Sequence, residues 1–256
     1  MTVDTTTRGP VGTEWRGLVR LGAAAAVFVV VMIPLQAAVF ILRPPPVTVE
    51  GFFALFQENP MLGLLDLDLL LTLDYLVMIP FYLALYVVVR RVAHAWGLLA
   101  LVVGLFSLVL FVVSREATFS MWMLSDQYAA ATSATDKAAL LAAGRTLLTL
   151  YNGGTFATSY ILGAISTLIF SAMMVRHHIF GRLPGLVGVL TGLTMLIPAN
   201  AGPVGLTIAM VSLLPTAAWL ILLFPHLLRV ARETPTGQHH GPVAATNQGV
   251  PRASHR

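Results

Sequence analysis

Three aspartates and an arginine–glutamate pair are the side chains of this sequence best suited to chemistry. Asp66, Asp68 and Asp74 stand at the start of one long apolar stretch. Arg115 and Glu116 stand at the end of another. A carboxylate at the centre of a membrane-spanning helix costs about 2.5–3.5 kcal/mol, so such groups usually have a partner or a function. A buried member of this set would serve either an ion pair or a functional site.

Depth in a membrane separates Asp74 from the other two aspartates. If the apolar stretch runs outward from Val89, about 20 helical residues place the outer hydrocarbon boundary near Leu70. Asp66 and Asp68 then lie in the headgroup region, where we expect them to be solvated. Asp74 lies inside, about 6 Å below the boundary at 1.5 Å per residue.

Arg115 is the predicted partner of Asp74. Folding the second and third apolar stretches about their shared turn places Val112 or Phe111 level with Asp74, and Arg115 about one helical turn further out. A long arginine side chain can reach along an apolar surface while its charge stays near water. The sequence therefore predicts an acid–base cluster at the outer mouth, with a structural or a functional role: Asp68, Asp74, Arg115 and Glu116.

Other chemical motifs are missing from the sequence. The zinc-protease, nucleophile-elbow, P-loop and dinucleotide-binding patterns do not occur. His177-His178 and His239-His240 each lack the further ligands that a metal ion needs. The absence of cysteine excludes disulfides and thiolate sites. We therefore expect no catalytic residue, no metal and no cofactor.

Composition restricts the kind of fold that can position these residues. Of the 256 residues, 57% are hydrophobic and only 10% are charged, whereas a soluble domain carries about 25% charged residues. The positive net charge arises from arginines at the ends of apolar stretches, so we expect a lipid bilayer as partner and no nucleic acid. The sequence predicts an all-α polytopic membrane protein.

Six apolar stretches predict a bundle of six transmembrane helices. The first is longer than the apolar part of a secretory signal, so we expect it to be retained. The short link after the second predicts an antiparallel hairpin with the third. We predict disordered tails at 1–16 and 233–256, and a transmembrane domain at 17–232. The predicted spans are about 21–42, 64–89, 96–114, 156–175, 183–197 and 204–228.

Two segments between the spans are predicted to lie outside the hydrocarbon. The first is a loop after residue 43, whose Phe52, Phe53 and Phe56 are expected at the membrane interface. The second, residues 114–154, is rich in helix formers. We predict that the third and fourth spans extend through it as an outer helical hairpin with its tip near Ser133.

Gly188 and Gly192 form a G-x-x-x-G pattern in the fifth span. This spacing puts both glycines on one helix face, where small residues allow a neighbouring helix to approach closely. We predict a helix-packing role for the two residues.

Basic residues predict the orientation. With a cytoplasmic N-terminus, 11 of the 15 arginines and lysines lie inside and four lie outside. This bias favours cytoplasmic N- and C-termini. The outer four are Arg43, Arg115, Lys137 and Arg145, and the inner set is Arg8, Arg16, Arg20, Arg90, Arg91, Arg176, Arg182, Arg229, Arg232, Arg252 and Arg256.

Three groups of motifs stand out in the apolar stretches and their links. They are Leu73-Asp74-Tyr75-Leu76 with Ile79-Pro80-Phe81-Tyr82, Leu150-Tyr151-Asn152-Gly153-Gly154, and Ile179-Phe180-Gly181-Arg182-Leu183-Pro184-Gly185-Leu186. Their order resembles a large bacterial family of uncharacterised six-span membrane proteins, defined as a domain of unknown function. The resemblance covers about residues 17–230 and implies a bacterial cytoplasmic membrane. It implies no activity and assigns no functional residue.

Three hypotheses of function follow. The favoured one is a non-enzymatic membrane protein, with a membrane-protein partner or a second copy of itself as the possible binding partners. The second is a small-solute transporter or channel that uses the acid–base cluster. The third is an intramembrane enzyme, which ranks last because no nucleophile–base pair or metal set is visible.

Overall fold

The computed structural model describes residues 12–66 and 69–232. Within these ranges the regular structure is α-helical and no strand forms, which confirms the predicted all-α fold. The helices are α1 (Thr13–Leu42), α2 (Val49–Glu58), α3 (Pro60–Asp66), α4 (Leu69–Ser114), α5 (Glu116–Ala130), α6 (Ala134–Tyr151), α7 (Gly154–His177), α8 (Leu183–Thr194) and α9 (Gly202–Arg232).

The long helices indicate a membrane protein. Four helical segments of the described chain are long and apolar enough to cross a bilayer. Their outer faces carry large exposed apolar side chains, among them Val31 on α1, Phe106 on α4 and Leu214 on α9. A hydrocarbon environment explains these faces, because exposure of so much apolar surface to water would be unfavourable. The four segments are Thr13–Leu42, Leu69–Ala130, Ala134–His177 and Gly202–Arg232.

Helix α4 consists of two antiparallel halves that meet at Ala93. The backbone there is non-helical, with φ −147° and ψ 64°. Tyr75 of the first half stacks on Phe111 of the second, with ring centroids 3.6 Å apart. Close to the turn, the rings of Tyr86 and His94 lie 6.0 Å apart. The chain thus reverses at a single residue, where the sequence predicted a longer link.

The largest apolar core lies among α1, α4, α7 and α9. Phe81 of α4 and Trp219 of α9 are buried in it, and their rings meet edge to face with centroids 5.6 Å apart. Helix α1 approaches α4 closely because Gly22 lies against Ala84 and the Pro80 carbonyl, where a Cβ would overlap both. We call these helices, together with α8, the bundle.

A second core joins α2, α3, α5 and α6, which we call the cap. Phe56 stacks on Trp122 of α5 with ring centroids 6.3 Å apart, and Phe53 lies 5.3 Å from Tyr128. Phe52 is also buried here. Our prediction of a loop with interfacial phenylalanines is therefore wrong: this segment is helix α2. A helix places the three rings on one face, where packing against α5 and α6 removes them from water. A loop would not align them in this way.

The cap lies at one end of the bundle. The chain passes from the end of α1 into the cap. Helix α4 begins and ends next to the cap, and α7 begins next to it. The chain reverses between α5 and α6 at residues 131–133, and Ser133 caps α6 by accepting a hydrogen bond from the Thr135 backbone N–H at 3.2 Å. The opposite end holds the Ala93 turn, the α7–α8 loop and the C-terminus of α9.

Several helix boundaries differ from those predicted. Residues 64–66 of the predicted second span, for example, belong to the separate helix α3. Helix α1 begins at Thr13, so residues 13–16 are helical although we assigned them to the tail. Their packing explains this, because the Arg90 guanidinium lies 4.3 Å from the centre of the Trp15 ring. Helix α8 ends at Thr194, before the predicted residue 197. Pro198 offers no amide to the Thr194 carbonyl and disfavours helix at the preceding residue.

Candidate functional site

A cavity of about 560 Å³ lies between the bundle and the cap. Its walls come from the C-terminal part of α1, the start of α4, the α6–α7 junction and the start of α9. Most lining side chains are apolar, and the cavity has the size and character of a small-molecule site. Its polar and tyrosine side chains are Gln36, Arg43, Asp66, Tyr75, Arg115, Tyr151, Asn152, Tyr160 and Asn200.

Asp74 lies directly behind this wall. Its side chain is buried, and its Oδ2 accepts a hydrogen bond from the Gln36 side-chain amide. Its Oδ1 is also buried and has no hydrogen-bond partner. Gln36 itself lines the cavity. Gln36 therefore contacts the carboxylate and also lines the cavity.

Arg115 is buried where α4 passes into α5, and three aromatic rings surround it. Its guanidinium carbon lies 3.9 Å from the ring centre of Tyr151, 4.8 Å from that of Phe111 and 4.9 Å from that of Phe156. It donates hydrogen bonds to the Tyr151 carbonyl and to Ser114 Oγ, each at 3.1 Å. Cation–π contacts and hydrogen bonds thus fix the guanidinium in the cavity wall.

The structure places Gln36, and not Arg115, beside the Asp74 carboxylate. Among the described residues, no cation forms an ion pair with Asp74. The reason is helix register: Tyr75 is the residue that faces Phe111 across the α4 hairpin, and this turns Asp74 towards α1. Arg115 instead contacts Ser114 and Phe111 of α4, Tyr151 of α6 and Phe156 of α7.

The other two members of the predicted cluster are Glu116 and Asp68. Glu116 is exposed in the first turn of α5, where a negative charge is favourable to the helix. Asp68 lies outside the described residues. Asp66 is partly buried at the end of α3. Burial raises the pKa of the Asp66 carboxyl, and the positive charge of Arg43 partly offsets this.

Sequence reasoning missed two amides of the site. Gln36 is the polar amide within the first apolar stretch, and a polar side chain in such a stretch usually has a partner. The sequence therefore indicated that Gln36 has a polar partner, but it did not reveal that this partner is Asp74. The Asn200 side chain donates to the backbone carbonyls of Asn152 at 2.6 Å and Gly153 at 3.3 Å. It thereby joins the α8–α9 loop to the α6–α7 junction.

The two glycines of the fifth apolar stretch lie where α8 contacts its neighbours. A Cβ at Gly188 would overlap Ser171 Oγ of α7 and Trp219 Nε1 of α9. A Cβ at Gly192 would lie 2.6 Å from Leu168 Cγ. Helix α8 can therefore approach α7 and α9 only with small residues at these positions.

Histidines do not form a metal site in the described part of the chain. No three potential ligands from His, Cys, Asp and Glu converge there. His177 ends α7, and His178 caps it in the left-handed conformation, with φ 48°. His239 and His240 lie outside the described residues.

Comparison with known proteins identifies a family. Residues 21–231 match the family described as Domain of unknown function (DUF4386). No curated protein and no solved structure matches the chain. The matched range is close to the one over which the sequence motifs resembled an uncharacterised family, and it confirms that resemblance.

Proposed function

Because the chain belongs to the DUF4386 family, a domain of unknown function, we propose its function from the geometry of the cavity. We propose a multi-pass, non-enzymatic membrane protein that binds a small amphiphilic molecule between the bundle and the cap. The observation that carries this proposal is the cavity of about 560 Å³, with its apolar wall and few polar groups.

The proposed arrangement has six spans: α1, the two halves of α4, α7, α8 and α9. The antiparallel halves of α4 support two crossings, because each half is long enough to span. The cap then forms the outer part, including the hairpin of α5 and α6. Arg90, Arg91, Arg229 and Arg232 lie at the opposite end, which supports a cytoplasmic location for that end and for both termini. The bacterial cytoplasmic membrane is the location that the family resemblance implies.

The lining suggests the chemistry of the ligand. Apolar side chains of α1, α4 and α9 suit a hydrocarbon body, and they would shield it from water. The polar groups suit a hydrogen-bonding head. Among the described residues that line the cavity, two are arginines, Arg43 and Arg115, and one is an aspartate, Asp66. This excess of positive charge favours a head with a single negative charge over a cationic one.

Filling the cavity tests the proposal. Ala209 of α9 lines the cavity, whereas Ala218 of the same helix is exposed on the outer face. The protein is placed in lipid nanodiscs, and saturable energy transfer from tryptophan to 11-(dansylamino)undecanoic acid is measured. We expect Ala209→Phe to weaken binding at least tenfold and Ala218→Phe to change it less than twofold. Equal binding by both variants would show that the ligand does not enter the cavity. The methyl ester of the probe tests the preference for a negative head.

A transport function is the second candidate, and Asp74 favours it. A buried carboxylate with one oxygen unpartnered is expensive within a membrane, and such residues often carry protons or ions. Its partner Gln36 connects it to the cavity. Proteoliposomes containing a pH-sensitive dye should then acidify with a transported solute, and Asp74→Asn should abolish this flux without abolishing probe binding. Glu116→Gln, at an exposed carboxylate, is the matched control. If the wild type moves no solute of a broad panel, binding without transport is favoured.

A further inference from the structure

We infer that a second cavity, at the end of the bundle opposite the cap, binds a phosphoryl group such as that of an anionic lipid. This cavity has a volume of about 510 Å³. It lies between the first half of α4, the α7–α8 loop and the last turns of α9. Its basic lining residues are Arg91, His226 and Arg229, and Val88, Ile179 and Phe180 supply apolar wall.

The charges of this cavity converge from two helices. Arg91 lies at the end of the first half of α4, and Arg229 lies near the end of α9. Among the residues that the structure describes, none of those lining the cavity is acidic. Guanidinium groups present planar pairs of N–H donors that match the oxygens of a phosphate, and two of them from separate helices can grip one group from two sides. An anion with several oxygens therefore fits this cavity better than a cation or a neutral solute.

The α7–α8 loop builds the third wall in a fixed conformation. His178 and Gly181 both adopt positive φ, 48° and 84° respectively. The second value favours glycine, which has no Cβ to oppose it. The backbone N–H of Ile179 donates to the Met174 carbonyl at 3.3 Å, which closes the end of α7. The loop thus has a defined turn conformation beside the cavity.

This loop also orients a basic side chain. The Phe180 ring stacks on the His226 imidazole, with centroids 4.9 Å apart and planes 17° apart. His226 lies one helical turn before Arg229 on α9, so both side chains face the same cavity. Preorganised donors lose less entropy when a ligand binds, which favours a specific site over a diffuse basic surface.

The apolar residues of the cavity favour a lipid as the source of the phosphoryl group. Val88 and Val92 of α4 border it, and Val92 is exposed on the outer face. An acyl chain could follow this face while its headgroup enters the cavity. A soluble phosphate would use the same arginines but gain nothing from the valines. The shared chemistry is a phosphoryl anion, and the two sources are separable by experiment.

Native mass spectrometry of the full chain in detergent tests the inference. The probes are phosphatidylglycerol, diacylglycerol of the same chains, and inorganic phosphate. We expect one phosphatidylglycerol to bind saturably, and diacylglycerol not to bind. Inorganic phosphate that binds at millimolar concentration, with the same sensitivity to substitution, would support the site and identify a soluble source.

Substitutions on one helix give a matched comparison. Arg229→Gln should weaken phosphatidylglycerol binding at least fivefold, and Arg91→Gln should do the same from the other helix. Arg232→Gln removes the same charge one turn further along α9, at an exposed residue that does not line the cavity. It should change binding less than twofold. Wild-type binding by the first two variants, an equal loss in Arg232→Gln, or no binding of any phosphoryl probe would overturn the inference.

Discussion

The Gln36 side-chain amide donates a hydrogen bond to Asp74 Oδ2, and this contact joins α1 to α4 behind the cavity wall. Both residues lie in long apolar helices, where a polar group without a partner is costly. The contact therefore replaces the ion pair with Arg115 that the sequence had suggested. It also predicts which substitutions depend on one another.

Removing the amide should destabilise the protein. Gln36→Leu leaves the Asp74 carboxylate without its hydrogen bond, and we expect the free energy of unfolding to fall by about 1–3 kcal/mol. The double variant Gln36→Leu/Asp74→Leu should recover part of this loss, because no buried polar group is left stranded. Unfolding in mixed micelles measures both effects. As a control, Asp74→Asn combined with Arg115→Gln should be additive. A coupling between Asp74 and Arg115 would contradict the register of α4 described above.

The aromatic surroundings of Arg115 make a separate prediction. Its guanidinium lies 3.9 Å from the centre of the Tyr151 ring, and a desolvated cation–π contact contributes up to about 2 kcal/mol. Arg115→Gln and Tyr151→Leu should each lower stability, and their combination should cost less than the sum by about 1 kcal/mol. The matched pair Arg115→Gln with Glu116→Gln should be additive, since Glu116 is exposed. Additivity in the first cycle would show that the ring and the cation do not interact.

Hydrophobic length predicted the helices but not the direction in which their side chains point. The reversal between the halves of α4 followed from a short basic link between two apolar stretches. Asp74 and Tyr75, however, differ by one position, and one position rotates a side chain by about 100° around a helix. Which of them faces Phe111 depends on how α1 packs against α4, and the sequence alone does not contain that contact.

The second core illustrates the same limit over a longer distance in the chain. The spacing of Phe52, Phe53 and Phe56 is compatible with one helix face. We assigned these rings to the membrane interface. Their observed partners, Met121 and Trp122, lie far along the sequence, and the spacing of the rings does not identify them. An apolar helix face indicates that the face is covered, but it does not indicate whether lipid or protein covers it.

Substitution of Gly188 and of Gly17 by alanine separates the cost of steric overlap from the gain in helix propensity. A Cβ at Gly188 would overlap the Trp219 and Ser171 side chains, and Trp219 is buried. Gly188→Ala should therefore lower the free energy of unfolding by about 1–3 kcal/mol. At Gly17, an exposed position in α1, no atom lies within 4 Å of a Cβ. Gly17→Ala should be neutral or raise stability by up to about 1 kcal/mol, because alanine favours helix. Unfolding of the two variants side by side checks this, and a stable Gly188→Ala would mean that α8 sits further from α9.

The short helix α8 makes topology the most informative test of the six-span proposal. Its 12 residues cover about 18 Å at 1.5 Å per residue, less than the hydrocarbon thickness of about 30 Å. The following residues up to Pro198 must therefore complete the crossing. Single cysteines can be introduced into this cysteine-free chain at the exposed positions Ala95, Thr132 and Ala201.

In intact cells, a membrane-impermeant maleimide should label Thr132→Cys and Ala201→Cys but not Ala95→Cys. All three should react after the membrane is permeabilised, which serves as the control for accessibility. Labelling of Ala95→Cys in intact cells would reverse the proposed orientation. Labelling of Thr132→Cys without Ala201→Cys would show that α8 does not cross, because the start of α9 would then lie on the cytoplasmic side.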